Sequence, residues 1–294
     1  MPKTKKNRGS EAFEKYYGEL YQERWLTLKA ALLADKQQIA RANQFVPSNE
    51  VKWLSPQAVE DHNIRCATTG LREFYFMDLA SYWAAEMLPL PKSGGEILDL
   101  CAAPGGKSLI LAERMDQSAS LTLNELSPQR RHRLKQVLHD YVPEEIRSQI
   151  QVTGHDGSRW GLHHPEKYDA ILLDAPCSSE RHVLGKPKEL ELFSANRSKN
   201  LAVRQYALLA AAWQSLKPGG WLIYSTCSIS PKENDEVVGK LIKKKAAQTV
   251  QIDPAHYCGE QTEYGLMVLP DLTSHGPLYI CKIHKPAVET SDHQ

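Results

Sequence analysis

Ile97-Leu98-Asp99-Leu100-Cys101-Ala102-Ala103-Pro104-Gly105-Gly106-Lys107 is an apolar run that breaks into a Gly-rich turn. The pattern predicts a strand, a tight turn and the first residues of a helix. Backbone N–H groups at such a helix start attract negative or electron-rich ligand groups, and adjacent glycines let a ligand approach. The turn matches neither Gly-x-Gly-x-x-Gly nor Gly-x-x-x-x-Gly-Lys-Ser/Thr. A dinucleotide or a nucleoside triphosphate is therefore disfavoured, and with it a nicotinamide-dependent oxidoreductase.

Outward from this stretch, strand-like runs stand at 96–100, 119–124, 149–153, 169–173 and 220–225. Helical stretches fall between them at 106–115, 128–140, about 198–216 and 231–245. Such alternation predicts a parallel sheet with helices on both faces. Pro277 to Ile283 reads as a C-terminal strand. Ligands of such sheets gather at the carboxyl ends of the strands. Glu125 closes the second run, where a carboxylate can take both hydroxyls of a ribose. Asp156, followed by Gly157, closes the third, where it could meet an adenine edge or an amino group. The turn and the two acids together fit S-adenosylmethionine, which has no phosphate and carries a positive sulfonium.

Two further strand ends carry thiols: Asp174-Ala175-Pro176-Cys177-Ser178 and Ser225-Thr226-Cys227-Ser228. Two cysteines delivered to one sheet edge could act on one ligand. A free cysteine is often only a small buried hydrophobe. Placement just past a strand end, flanked by hydroxyls, argues against that for Cys177 and Cys227. Cys101, inside the turn, reads as lining rather than chemistry, and Cys66, Cys258 and Cys281 as structural. No Cys-x-x-Cys spacing points to a metal, and the thiols read as reduced and cytosolic.

With 294 residues, the chain has room for one α/β domain and a smaller appendage. Its formal net charge of +1 gives no global basic field, so any nucleic-acid contact must be local. No apolar run is long enough for a membrane span. The first ten residues, with Lys3, Lys5, Lys6 and Arg8, lack a secretory apolar stretch and read as a disordered basic tail. From Glu11 to about Asn43 the pattern is helical: Phe13, Tyr16, Tyr17, Leu20, Tyr21 and Trp25 recur at three- and four-residue steps, continued by Leu28 and Leu32. Pro47, Pro56 and Gly70 mark irregular structure. The expected divisions are a tail over 1–10, a helical N-terminal region over 11–90, a catalytic domain over 91–285 and a disordered tail over 286–294.

The motifs at 99–107, 174–178 and 225–228, with Lys217-Pro218-Gly219-Gly220 and the lead-in Asp78-Leu79-Ala80-Ser81, resemble the RNA 5-methylcytosine methyltransferases of the Nol1/Nop2/Sun, RsmB-like group. The resemblance covers about residues 70–285. Tyr17, Tyr21, Arg24-Trp25 and Glu180-Arg181-His182 are similar to its mitochondrial small-subunit rRNA branch; the lack of a recognisable targeting peptide argues for a bacterial relative in the cytoplasm. The resemblance implies a Rossmann-like α/β fold, with a mostly parallel seven-stranded sheet and helices on both faces, preceded by a small helical region. It implies S-adenosylmethionine held by Cys101, Ala102, Ala103, Pro104, Gly105, Gly106, Lys107, Glu125, Arg130, Asp156, Gly157 and Asp174.

Carbon 5 of cytosine is a poor nucleophile, and a thiolate adding to carbon 6 makes it enamine-like. The resemblance casts Cys227 as that thiolate, its pKa lowered by Lys107 and the sulfonium. Asp174 would hydrogen-bond ring nitrogen 3 and the exocyclic amine. Cys177 would serve as base or release group. RNA contacts are expected from Lys107 and from the segment after Cys177: Arg181, His182, Lys186, Lys188 and Arg197, diluted by Glu180, Glu189 and Glu191. Lys243, Lys244 and Lys245 suit a helix C-terminus without RNA. The expected partner is rRNA or a ribosomal subunit precursor, with a targeting protein as a further partner. Three other readings stay open: a tRNA enzyme, a DNA cytosine methyltransferase using Cys177, and a non-catalytic RNA-binding assembly factor.

Overall fold

The computed structural model describes residues 8–47, 52–245 and 247–287. Two helices come first, α1 (Arg8–Tyr21) and α2 (Trp25–Leu33), then short strands β1 (Ile39–Ala42), β2 (Trp53–Leu54) and β3 (Phe74–Met77), and helix α3 (Leu79–Glu86). The body runs β4 (Glu96–Asp99), α4 (Gly106–Arg114), β5 (Ser120–Asn124), α5 (Pro128–Tyr141), α6 (Glu144–Arg147), β6 (Ile150–Thr153), α7 (Trp160–His163) and β7 (Tyr168–Asp174). It continues through α8 (Glu180–Leu184), α9 (Pro187–Glu191), α10 (Ala195–Ser215), β8 (Leu216–Thr226) and α11 (Asp235–Lys245). Strands β9 (Gln248–Val250), β10 (Glu260–Gln261) and β11 (Leu266–Val268), helix α12 (Pro270–Thr273) and strand β12 (Leu278–His284) finish it.

Strands β6, β5, β4, β7 and β8 lie side by side and parallel, and β12 joins β8 antiparallel. Their cores are continuous apolar runs, as a sheet covered on both faces requires. The chain moves from β4 outward through β5 to β6, then returns with β7 to the other side of β4. That reversal opens a crevice at the carboxyl ends of β4 and β7, where ligands of doubly wound sheets bind. The sheet has nine strands among the described residues rather than the seven expected. Strands β9, β10 and β11, only two or three residues each, are too short to leave a period in the sequence.

The helical expectation for 11–90 holds only in part. Helix ends at Leu33, and β1 then pairs with β2 and β3 in a separate antiparallel sheet. All four β1 residues are buried, so Ile39-Ala40-Arg41-Ala42 shows no strand alternation to read. The basic tail expected over 1–10 is also shorter: Arg8, Gly9 and Ser10 begin α1, and a methyl at Gly9 would lie 2.2 Å from the Glu191 carbonyl. The rest of that tail, 1–7, and 288–294 of the C-terminal one lie outside the described residues.

Much of the aromatic stripe of α1 and α2 is core, with Leu20 left exposed. Phe13, Tyr17, Trp25, Leu28 and Leu32 are buried against the sheet face that α10 and α11 also cover. Tyr17 stacks on Trp25 with ring centroids 5.4 Å apart. Helices α3, α4 and α5 pack on the opposite face. Arg24 binds both Glu260 of β10 and, at 2.6 Å, Asp271 of α12, and Tyr21 donates to the Ile229 carbonyl. Asp78 caps α3 and accepts the Gly276 N–H. The N-terminal helices thereby clasp the C-terminal strands.

Candidate active site

The turn after β4 opens α4 through Gly105 at φ +117°, a conformation that favours glycine. A methyl on Gly106 would lie 2.6 Å from the Tyr75 ring, so only glycine lets the turn sit against β3. Asn124 ties three strand ends together: it donates to the Leu100 and His155 carbonyls and accepts from Thr153 and the His155 N–H. On this frame Glu125, Asp156, Leu100 and Leu208 line a cavity of about 400 Å³. Glu125 is buried, accepts the Ser127 N–H at 2.9 Å and meets Arg130 at 3.3 Å. Arg130 also donates to the Ala103 carbonyl, which joins the acid to the turn. Asp156 takes the Ser158 N–H and hydroxyl, which hold its carboxyl below the ordinary value. Cys101 lines the same cavity, its thiol pushed up by burial.

A second cavity, of about 290 Å³, adjoins the turn from the other side and is lined by Tyr75, Phe76, Asp78, Asp99, Lys107 and Asp174. Lys107 donates to Asp174 at 2.7 Å, and Ser225 donates to the other oxygen at 2.7 Å. Burial opposes the Lys107 charge, but Asp174 overcomes it and holds the ammonium above its ordinary value. Asp99 is buried beneath the turn with one oxygen on the Ser108 hydroxyl and the other without a partner. Burial pushes its carboxyl up to about 7.

The two thiols meet. Asp174 of β7 is in register with Ser225 of β8, so Cys177 and Cys227 leave neighbouring strand ends. The Cys227 N–H donates to the Cys177 sulfur at 3.2 Å. Both residues are half-buried. Cys177, with help from Ser179, holds Cys227 below its ordinary pKa against the opposing effect of burial. Cys227, then burial, pushes Cys177 well above. Lys107, expected to activate Cys227, donates to Asp174, and Cys177 is the leading influence on Cys227. Cys227 is therefore the readier thiolate of the two.

The segment after Cys177 is not a basic loop. It folds into α8 and α9, and Arg181 is committed to the Ala34 and Gly276 carbonyls. Its expected RNA contact is thus replaced by a structural tie between α8, the end of α2 and the β12 approach. Arg197 pairs with Glu189 at 3.2 Å, while His182, Lys186 and Lys188 face solvent. Lys107 faces Asp174 within the cavity.

Sequence reasoning missed the carboxylates that hold the cysteine loops. Glu180, taken for a surface acid, is fully buried, as is Glu233. Glu233 accepts the Ser178 N–H at 3.0 Å and Gln205 at 2.9 Å. Asn234 accepts from Thr226 and donates to the Ser228 carbonyl. The signal present in the chain was the run of hydroxyls beside each cysteine, Ser178-Ser179 and Ser228, which need acceptors once buried.

The family described as 16S rRNA methyltransferase RsmB/F matches residues 86–284. Mouse 5-cytosine rRNA methyltransferase NSUN4 is 38% identical over 240 residues, covering 75% of this chain and 62% of that one. The mouse mitochondrial tRNA (cytosine(34)-C(5))-methyltransferase is 33% identical over 233 residues, 75% of this chain and 66% of that one. Ribosomal RNA small subunit methyltransferase F of Erwinia tasmaniensis is 32% identical over 246 residues, 80% of this chain and 50% of that one. The chain thus spans half to two thirds of the length of these relatives. Among solved structures, a methyltransferase homolog protein from Pyrococcus horikoshii superposes with TM-score 0.73 at 22% identity, covering 93% of this chain and 94% of that one. NSun6 from Pyrococcus horikoshii with SFG gives 0.71 at 19%, covering 94% and 98%, and both show the fold. By fold, motifs and these matches, the chain belongs to the RsmB/F methyltransferase family.

Proposed function

We propose that this chain is an S-adenosylmethionine-dependent RNA cytosine-5 methyltransferase whose substrate is ribosomal RNA, free or in a subunit precursor. The carrying observation is the Cys177–Cys227 contact beside the Lys107–Asp174 pair. A pair of thiols with opposite pKa directions, next to a carboxylate–ammonium couple, suits addition to and release from a pyrimidine.

The cofactor fits the residues present. Glu125 at the second strand end suits the ribose hydroxyls and Asp156 the adenine side, with Leu100 and Leu208 as apolar walls. The Gly105-Gly106 turn and the unpartnered Asp99 oxygen offer hydrogen-bonding groups at the methionine end. Bound there, S-adenosylmethionine supplies a methyl group on positively charged sulfur.

The target base must leave its stack to reach the half-buried thiols. Cys227 adds to carbon 6. Asp174, which accepts from Lys107 and Ser225, orients the base by accepting from its exocyclic amine and from ring nitrogen 3 once that nitrogen carries the proton taken up on addition. After carbon 5 has been methylated, the carbon 5 proton passes to a water held by Cys177, the electrons of that C–H bond re-form the ring double bond, and the Cys227–carbon bond breaks to free the Cys227 thiolate. A DNA-type mechanism with Cys177 as nucleophile is disfavoured, because the Cys177 pKa is raised while that of Cys227 is lowered. A thiol pair that works only when reduced also supports a cytoplasmic location, testable by cell fractionation. His182, Lys186 and Lys188, exposed in the segment after Cys177, are RNA contacts in this reading.

The test is bisulfite sequencing of total rRNA and tRNA from cells lacking the gene. A single cytosine that loses protection in small-subunit rRNA supports the reading. Loss in tRNA alone would move the substrate class to tRNA. Unchanged protection, with no covalent trapping on 5-fluorocytosine RNA, would leave a binding role.

A further inference from the structure

Glu180 is a fully buried carboxylate at the start of α8. One of its oxygens accepts from the Tyr17 hydroxyl at 2.6 Å, from the Ser178 hydroxyl and from the Ser228 hydroxyl at 3.2 Å. The other accepts the Ile229 N–H at 3.0 Å. Ser178 follows Cys177 and Ser228 follows Cys227, and their hydroxyls lie 3.0 Å apart. Three of the four donors therefore come from the two cysteine loops, each within two residues of a thiol. The fourth comes from α1, 163 positions upstream of Glu180.

Nothing in ordinary packing calls for a buried acid here. A charge taken out of water is costly unless several donors surround it. An ionised carboxylate only accepts, so it turns hydroxyls and N–H groups from different segments toward one point. Each cysteine loop has its own support from Glu233 or Asn234, but Glu180 receives donors from both. We propose that Glu180 is a positioning residue: it fixes the Cys177 and Cys227 loops against each other, and it makes Tyr17 of the N-terminal helix part of the same assembly. The hydrogen bond from the Cys227 N–H to the Cys177 sulfur depends on that register. Functional groups of this kind must be held to within about 0.5 Å.

The thiols are faced by Lys107 of α4, Asp174 of β7, Glu180 of α8 and Glu233 before α11, with Tyr224 of β8 buried nearby. Tyr17→Phe replaces none of these charged residues and removes one donor to Glu180, which makes it the informative variant. Its activity arm rests on the reading of Cys227 as nucleophile; its alkylation arm does not.

The experiment uses the full chain, Tyr17→Phe, Glu180→Gln and the double variant. The first readout is the rate of Cys227 alkylation by iodoacetamide across pH, followed by peptide mass spectrometry. The second is adduct formation with 5-fluorocytosine-substituted rRNA, with melting and S-adenosylmethionine binding as controls. Tyr17→Phe is expected to move the alkylation profile to higher pH, because the Cys177 and Cys227 loops then lose the register that brings the two thiols together. It is expected to slow adduct formation by between roughly tenfold and a hundredfold, with cofactor affinity unchanged. Adding it to Glu180→Gln should slow the reaction no further. A folded Tyr17→Phe protein with an unaltered alkylation profile overturns the proposal, as do single effects that multiply in the double variant. If Glu180→Gln fails to fold, the Tyr17→Phe profile alone decides. If the unsubstituted chain forms no adduct on any RNA, the proposed reaction falls, while the alkylation profiles still decide the role of Glu180.

Discussion

At the scale of single residues, the site separates two chemically identical thiols by their surroundings. The Cys227 N–H donates to the Cys177 sulfur, and the Cys227 pKa is lowered where that of Cys177 is raised. Cys227→Ala should abolish methyl transfer and covalent trapping while cofactor binding, read by calorimetry, stays within about twofold, since a removed thiol touches only the chemical step. Cys177→Ala should accumulate a protein–RNA adduct that denaturing gels resolve; normal turnover without that band would refute its part in release. Asp99 makes a separate prediction about pH. Its folded carboxyl, at about 7, lies above its ordinary value, so folding favours the protonated form. The stability this contributes is present at acidic pH and lost as pH rises through 7. Melting temperature of the cofactor-free protein should therefore fall between pH 5 and 8, with that slope reduced in Asp99→Asn. Equal slopes for both proteins would contradict the burial argument.

At the scale of elements, the strand-turn-helix at 96–114 carried its own description. Its apolar run, paired glycines and lysine are local signals, and the structure puts a left-handed glycine where the turn needs one. Gly106→Ala tests it: the added methyl would drive Tyr75 away, for a cost of about 1–3 kcal/mol in stability and weaker cofactor binding. Thermal melts and calorimetry would measure both; an unchanged affinity would mean that the Tyr75 contact does not shape the cavity. The five parallel strands were legible for the same reason, since buried runs such as Ala170 to Leu173 need no tertiary knowledge to read. Strands β1, β2 and β3 were not, because four buried residues in β1, only two residues in β2 and an all-apolar run in β3 leave no alternation. The helices after Cys177 were also hidden. Glu180 reads as a polar surface residue until the fold supplies its donors, and Arg181 reads as free until Ala34 and Gly276 come near.

At the scale of the whole molecule, the N-terminal helices close the sheet face behind the cysteine loops and are held by the C-terminal strands. Arg24 bridges Glu260 and Asp271 with its side chain about a third exposed. Solvent screening limits such a pair, and Arg24→Ala should cost roughly 1 kcal/mol or less from the charges, plus the lost packing of its stem. A melting shift near zero would show the clasp to be packing alone. None of this long-range closure was visible along the chain: residues 24 and 271 share no local pattern. The clasp has a consequence for how the protein comes into being. Tyr17 is translated 163 residues before the Glu180 it donates to, and Arg24 247 residues before Asp271. Contacts of such high sequence separation form late and slowly. A nascent chain halted before Pro270 should thus keep its early helices open to protease and its thiols unpaired. The machine would acquire its chemistry only once Asp271 and the strand after it have joined the clasp, which keeps a copy lacking them from acting on the RNA around it.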